Sequence, residues 1–494
     1  MFNAYPDSLG GNLSRLAAFL TDQRMQGAVG LCYVLPSMFR SDLDRGFSVI
    51  AYELDEQLAS PEDLQLLRDH GIELKLDFVL NHLSAQSPQF LDLLQRGDES
   101  PYVDFFLDWN RFWAGEGEPD SRGFIVPHER HLAKLFMRKP GLPVLELPFP
   151  DGTSRFYWNT FYQEVIEDPA RGQPRILGQM DLNARSPQVW DFYARTMERF
   201  AGLGARIVRL DAFAYLHKEV GRRNFFNEPG TWDYLERIRA MAEPEGIELL
   251  PEIHAAHHEG VHRQLAERGY RFYDFFFPVL AIHAIETGSA EWLETWINEI
   301  IAGGYRTVNM LGCHDGIPVL DVQGLLEPAE IDRMIELIVA RGGRLKDLYG
   351  PDGRRIAYYQ VNATYFSALG EREDRLLFAR ALQIFMPGIP QVWYLDLLAG
   401  VNDHAAADAG GHKEINRSNL SEDELNRRMD LPLVRRQLEL LRWRNDHPAF
   451  APAAELSIAR TSRDTGDLLE MVWTNGRHRA RLVADFATLE FSVS

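Results

Sequence analysis

Two cysteines, Cys32 and Cys313, are all that the 494 residues contain. That excludes a disulfide framework and a cysteine-based zinc site. Long apolar runs are missing too. The most apolar stretch, Phe275 to Ile285, is about half the length that spans a bilayer and contains Pro278 and His283. The start, Met1-Phe2-Asn3-Ala4-Tyr5-Pro6, lacks the basic residues and apolar core of a signal peptide. Positive charge is scarce, with 52 Lys and Arg against 72 Asp and Glu, a net charge of −20. Such a chain lacks the clustered cations that nucleic acid or an anionic membrane demands, so neither is expected as a partner. Taken globally, the deficit also weighs against an anionic small substrate, although a local cluster of cations can offset it. The expected compartment is the cytoplasm.

What is present is an ordinary globular composition, 45% hydrophobic and 25% charged, so the chain folds rather than staying disordered. Short apolar runs, each followed by a polar turn and a helical pattern, indicate repeated βα units. The expected strands are Met1–Tyr5, Gly27–Leu35, Glu73–Leu80, Ala205–Leu210, Ile247–Glu252, Phe272–Phe277, Thr307–Gly312 and Ile389–Leu395. Helical spacing marks Leu13–Asp22, Pro61–His70, Pro187–Leu203 and Thr231–Ala242. Eight strands with intervening helices predict an α/β fold, a closed (β/α)₈ or TIM barrel. Between Leu80 and Ala205 lie about 125 residues, far more than one βα connection needs. We therefore divide the chain into barrel segments 1–80, 179–315 and 361–448, a loop-rich inserted domain 81–178 and a second insertion 316–360. The second insertion includes the turn-rich Leu348-Tyr349-Gly350-Pro351-Asp352-Gly353. Alternation in Leu456-Ser457-Ile458-Ala459 and Leu468-Leu469-Glu470-Met471-Val472-Trp473 marks a small C-terminal β-domain, 449–494.

A barrel builds its site at the C-terminal ends of its strands. The third expected strand is followed by Asn81-His82, and the fourth ends in Arg209-Leu210-Asp211. The fifth ends in Glu252 followed by His254, and the seventh leads into His314-Asp315. A lone carboxylate after a strand is commonly a cap or turn residue; convergence from several strands is not. Paired carboxylates suit glycosyl transfer, one attacking or steadying the anomeric carbon while the other protonates the leaving oxygen. Arg209 stands two residues before Asp211 on the same strand face, so it would keep that aspartate ionised. Glu252, as the acid, would need to hold a proton at neutral pH. A separate cluster, His254, His257, His258 and His262, could place three imidazoles on one helix face, which keeps a zinc-dependent barrel hydrolase as an alternative of another class. Glu259-Gly260 interrupts that helix. A non-catalytic scaffold subunit is disfavoured, because Asp211, Glu252 and Asp315 are all present.

Asp77-Phe78-Val79-Leu80-Asn81-His82, Ala205 to Ala212, Leu250-Pro251-Glu252-Ile253-His254 and Cys313-His314-Asp315-Gly316 resemble, in order, the four motif regions of the α-amylase superfamily. The resemblance implies Asp211 as nucleophile, Glu252 as general acid/base and Asp315 as transition-state stabiliser. It also implies that Arg209, His82 and His314 bind the glucosyl ring. Within the superfamily, Asp44-Arg45-Gly46-Phe47, Asn81-His82-Leu83-Ser84, Tyr359 to Tyr365, Pro387 to Val392 and Ile415-Asn416-Arg417 resemble the sucrose phosphorylase group. That likeness implies Asp44 and Arg417 at the far glucose hydroxyl, and Phe47 and Phe161 as an apolar platform. His254 and Tyr215 join the substrate-binding set.

Members of that group transfer an α-glucosyl unit to inorganic phosphate by a retaining route, giving α-glucose 1-phosphate, and need no metal or cofactor. The expected partners are thus a small glucoside and phosphate, and because members are often homodimers, a homodimer is among the expected assemblies. Met137 to Pro143 aligns with a segment that supplies an arginine for phosphate. Here Lys139 takes that position, Arg138 precedes it, and Tyr359 matches a phosphate-binding tyrosine. Ala357 replaces an aspartate that helps receive fructose, three residues before Gln360. An alanine offers that ketose no hydrogen bond. This places glucosylglycerol first as substrate, with Tyr215, Ala357 and Gln360 shaping a glycerol-sized subsite. Sucrose, sucrose 6′-phosphate and glucosylglycerate follow, Arg138 being suited to a second phosphate. A hydrolase or transglucosidase is the remaining alternative within the superfamily.

Overall fold

A computed structural model describes residues 1–166, 175–350 and 353–494, and the statements below concern these. Pro351 and Asp352 of the expected turn, and residues 167–174 within the expected inserted domain, lie outside them.

Eight parallel strands form one sheet: β1 (Phe2–Ala4), β2 (Leu31–Val34), β3 (Glu73–Val79), β4 (Ala205–Asp211), β5 (Glu248–Pro251), β6 (Phe272–Asp274), β7 (Thr307–Met310) and β8 (Ile389–Trp393). The order is 5-4-3-2-1-8-7-6, with β1 pairing β8 and so rolling the sheet into a barrel. No ladder joins β5 to β6 among the described residues, so the barrel is nearly closed. This is the (β/α)₈ barrel expected from the periodicity.

Helices follow the strands for local reasons. Pro61–Asp69 starts on a capping box in which Ser60 and Asp63 satisfy each other's backbone N–H groups. Pro187–Leu203 opens with proline in its first turn and stops at Gly204 in the left-handed conformation. The sixth strand is shorter than its apolar run. The Asp274 carboxylate accepts a hydrogen bond from the Phe277 N–H at 3.0 Å, so the chain turns there and Phe277–Thr287 becomes a fully enclosed helix. The apolar run from Phe275 is thus a core helix. Among the described residues no helix is long and apolar enough to cross a membrane.

Alternation along β3 sends Leu74, Leu76 and Phe78 outward to the helices and Lys75 and Asp77 inward. The barrel interior consequently carries a buried polar network beside an apolar cluster that includes Leu31, Ile207, Leu250, Val308 and Met310. Tyr33 donates to Asp77 at 2.5 Å, Arg209 reaches Asp77 at 2.6 Å, and Lys75 bonds to Gln391 at 2.8 Å and to the Tyr273 hydroxyl.

Between β3 and β4 the chain makes short two- and three-stranded sheets around a core of its own, built from Trp109, Trp113, Phe124, Leu135, Met137, Phe156 and Trp158. Between β7 and β8 the helix Pro328–Ala340 precedes a hairpin of Arg344–Tyr349 and Arg355–Asn362. Met137 and Tyr349 exchange backbone hydrogen bonds of 2.9 and 3.1 Å, tying that hairpin to the first insertion. The C-terminal residues form a four-stranded antiparallel sheet.

Gly388, immediately before β8, has φ +98°, and a Cβ there would stand 2.2 Å from the Thr307 carbonyl oxygen of β7. Gly388→Ala is expected to cost about 2–4 kcal/mol through overpacking and left-handed strain. A urea midpoint unchanged from wild type would contradict this account of the β7–β8 contact.

Candidate active site

The residues that the strand ends were expected to bring together do meet. Asp211 ends β4, Glu252 follows β5, His82 follows β3, and His314-Asp315 follows β7. With Asp44, Phe47, Phe161, Tyr215, Arg138, Lys139, Tyr359 and Gln360 they line one cavity of about 360 Å³, within the usual range for a small-molecule site.

Arg209 anchors its floor. One terminal nitrogen of its guanidinium holds Asp77 at 2.6 Å and Asp211 at 2.8 Å, and the other holds Glu252 at 2.8 Å. Asp211 stays close to Glu252 because Ala212 takes a left-handed conformation and its N–H faces the Glu252 carboxylate at 3.3 Å. Burial, joined by the charges of Glu252, Asp77 and Asp315, raises the Asp211 carboxyl well above its usual range despite Arg209. Burial acts on Glu252 as well, but Arg209 and His254 outweigh it and hold that carboxyl low. The two carboxylates thus sit in unequal fields. The reason is that Glu252 faces two cations, whereas Asp211 shares its single guanidinium nitrogen with Asp77.

Asp315 sits in a different field. Burial would raise it, but His314 at 3.3 Å, Lys413 at 3.0 Å and Arg417 at 3.6 Å bring it well below the usual range. Lys413 also reaches Asp44 at 3.2 Å, and Arg417 reaches it at 3.4 Å. Asp44 belongs to a strained turn in which Asp44, Arg45 and Gly46 all have positive φ. A Cβ on Gly46 would stand 2.2 Å from the Ser37 nitrogen, so only glycine closes that turn. The turn delivers Phe47, whose ring stacks on His314 at 5.1 Å and whose carbonyl accepts from His82 at 2.8 Å. Burial lowers His82 to about 4 and His314 well below its ordinary value, so both are neutral rings able to pair with hydroxyl groups. The Nδ1 atom of His314 is buried without a partner among the described residues.

The second insertion supplies Tyr359 and Gln360. Gln360 donates to the Asp315 carbonyl at 2.6 Å, and Arg138 lies 3.8 Å over the Tyr359 ring. Lys139 bonds to Gln163 at 2.9 Å and to Asn159, with no carboxylate partner among the described residues, and burial lowers it to about 8. Ala357 behaves differently. It pairs with Leu348 in the hairpin and is not among the residues that line the cavity.

The histidine cluster disperses as well. His257–Glu259 is a single 3-10 turn ending at Gly260 in the left-handed conformation, so no common helix face forms. His254 turns into the active site and His258 lies at the surface. His257 and His262 share Glu299 at 2.7 and 3.0 Å, where Arg263 at 2.9 Å already supplies the positive charge. The expected three-imidazole face is absent.

Several lining residues escaped the sequence reading: Tyr162, Gln179, Lys346, Asp347, His412 and Lys413. Lys413 had a signal, standing four residues before Arg417 and beside the segment Ile415 to Arg417. The others sit on short strands and turns outside the motifs read from the sequence. Asp77, within a quoted motif, and Asp321, six residues past Asp315, went unassigned too.

No family model matches this chain. The sucrose 6(F)-phosphate phosphorylase of Ilumatobacter coccineus is 55% identical over 503 residues, covering 100% of this chain and 95% of the relative. The glucosylglycerol phosphorylase of Marinobacter adhaerens is 31% identical, covering 97% and 93%. Among solved structures, sucrose 6F-phosphate phosphorylase from Thermoanaerobacter thermosaccharolyticum superposes with a TM-score of 0.88 at 33% identity, covering 100% of this chain and 94% of that one.

Removing Arg209 would leave three buried carboxylates facing one another. Arg209→Met is expected to cost about 3–5 kcal/mol at pH 7.5, the range for breaking a buried pair. The gap should narrow toward pH 5. There the variant's carboxylates, raised without the guanidinium, take up protons and regain stability, while the wild type keeps what its depressed Glu252 contributes, which is lost only as the pH falls below the ordinary carboxylate range. Urea unfolding at the two pH values measures both effects; a pH-independent gap would contradict the shared-guanidinium account.

Proposed function

The chain belongs to the sucrose phosphorylase group of the α-amylase superfamily, and from that premise we propose that its glucoside is sucrose carrying a phosphate on the fructosyl part, sucrose 6′-phosphate. As a member of that group it is a glycoside phosphorylase, a hexosyltransferase acting on a glycoside and phosphate.

The observation that carries the finer reading is the charge of the cavity wall. In a chain of net charge −20, Arg138, Lys139, Lys346, His412 and Lys413 line the cavity, drawn from both insertions and the segment after β8. Lys413 is committed to Asp44 and Asp315. Arg138, Lys139 and Lys346 contact tyrosine rings or amide side chains and have no carboxylate partner among the described residues. Such cations suit phosphate oxygens. A phosphorylated ketose would be gripped through its phosphate, which removes the need for the aspartate that Ala357 replaces. The 55% identity to a sucrose 6(F)-phosphate phosphorylase supports the same choice over glucosylglycerol, whose namesake enzyme is 31% identical.

In the proposed mechanism Asp211 attacks the anomeric carbon and Glu252 protonates the departing ketose oxygen. Asp315, held ionised by Lys413 and Arg417, steadies the positive charge that grows on the sugar ring. Phosphate then attacks the glucosyl-enzyme with Glu252 as base, releasing α-glucose 1-phosphate with retained configuration. Neutral His82 and His314, with Asp44 and Arg417, bind the glucose hydroxyls, and Phe47 and Phe161 cover its apolar face.

Phosphorolysis of sucrose, sucrose 6′-phosphate, glucosylglycerol and glucosylglycerate in inorganic phosphate tests the substrate. Sucrose 6′-phosphate should exceed sucrose in kcat/KM by roughly 10–100-fold, the worth of one charge-assisted contact, and Arg138→Ala should erase most of that ratio. Faster cleavage of glucosylglycerol would overturn the assignment. Asp211→Asn should abolish transfer on every donor while leaving the far-ultraviolet spectrum unchanged; wild-type turnover in that variant would remove the nucleophile from the mechanism.

A further inference from the structure

One histidine in the site has no role in gripping glucose in the mechanism above. The His254 ring lies flat on Phe275, with centroids 3.9 Å apart and planes 20° from parallel, and meets the Tyr359 ring edge-on at 5.1 Å. Stacked in this way it cannot rotate freely, and its two nitrogens point to two carboxylates. Nδ1 is 3.0 Å from Asp321, and Nε2 is 3.5 Å from Glu252. Asp321 is 2% exposed on its side chain. Its carbonyl accepts the His257 N–H at 2.9 Å, which fixes the loop after β7 against the loop after β5. No other side chain of the described residues forms an ion pair with Asp321.

We propose that Asp321 is a positioning residue that keeps the Nε2–H of His254 directed at Glu252, so that His254 and Glu252 hold one exchangeable proton between them. The inference rests on Glu252 being the acid/base. When the glycosidic bond breaks, its electron pair stays on the ketose oxygen, which takes a proton from Glu252. That proton reaches Glu252 from the Nε2–H bond of His254 as the glycosidic bond breaks, leaving Glu252 ionised and a neutral ring whose Nδ1–H still bonds to Asp321. When phosphate attacks, its proton returns by the same two groups. The depressed Glu252 thereby still functions as an acid, because the proton resides on its neighbour.

The groups facing His254 are Asp321 from the β7 loop, Glu252 beyond β5, and Phe275 and Tyr359 on the ring faces. Arg138 stacks on Tyr359, and Arg209 and Asp315 act on Glu252. Burial alone would lower His254, but Asp321 and Glu252 raise it to about 9. The pair therefore keeps its last proton up to alkaline pH and loses it above.

The test is the pH profile of kcat/KM between pH 5 and 10 for sucrose 6′-phosphate and for α-glucosyl fluoride, whose leaving group departs with little help from an acid. In Asp321→Asn the alkaline limb for the sugar donor should fall by about 1 pH unit or more, toward the ordinary histidine range, while the profile for the fluoride stays in place. Asp321→Glu should restore the limb. His254→Gln should move it in the same direction, and it serves if Asp321→Asn does not fold. An unmoved limb, or an equal loss on both donors at every pH, would overturn the proposal. Failure of the underlying reading looks different: Glu252→Gln would then lose activity equally on the fluoride and on the sugar.

Discussion

A single guanidinium fixes the geometry of this site. Arg209 rises from the interior of the barrel and binds Asp77, Asp211 and Glu252 at once. Because a guanidinium is planar and always charged, it places the two reacting carboxylates relative to each other with little freedom. It also ties them downward, through Asp77 and Tyr33, to the polar packing of the barrel. Burying four ionised groups is costly unless each is paired. The hydrogen bonds of Tyr33, Lys75, Tyr273 and Gln391 beneath them satisfy that condition, so the floor of the site and the core of the barrel are one network.

Above that floor, charge is distributed by the insertions. The overall excess of acidic residues lies largely at the surface, where water screens it. Cations nevertheless gather on the cavity wall because three chain segments far apart in sequence each turn one or more inward: Arg138 and Lys139 from the first insertion, Lys346 from the second, and Lys413 after β8. The backbone bonds between Met137 and Tyr349 hold the two insertions edge to edge, so the wall is a joint product of both. Net charge thus speaks to nucleic acid and membranes, which sample the whole surface, and is silent about a small anion, which samples only the wall.

Much of the fold could be read in advance. Each barrel strand is a short apolar run between turn signals, and all eight stand in their expected order. The sixth was read too long because Phe275, Phe276 and Phe277 suit a strand and a buried helix equally; the cap from Asp274 decides between them. The rim residues Asp211, Glu252, His82, His314 and Asp315 were legible for a related reason. They sit immediately after strands, and the barrel sends every strand end to the same face. The place of Ala357 opposite Leu348 was not legible, because it depends on the pairing of the hairpin strands. The histidines 254 to 262 misled because a four-residue spacing implies a shared face only if one helix spans it.

By itself the sequence determined the barrel, its chemistry-bearing rim and the family, since all three follow from local patterns and from short motifs at strand ends. Only the tertiary structure decided which cations line the cavity and how the carboxylates share them. Those properties depend on distances through space and on burial. Lys346, Lys413 and Asp321 approach the rim from three separate segments outside the barrel strands, and the field at Glu252 is set by neighbours 43 and 2 residues away, Arg209 and His254. Electrostatic energy falls with separation in space and rises with exclusion of water, and neither quantity exists until the chain has folded.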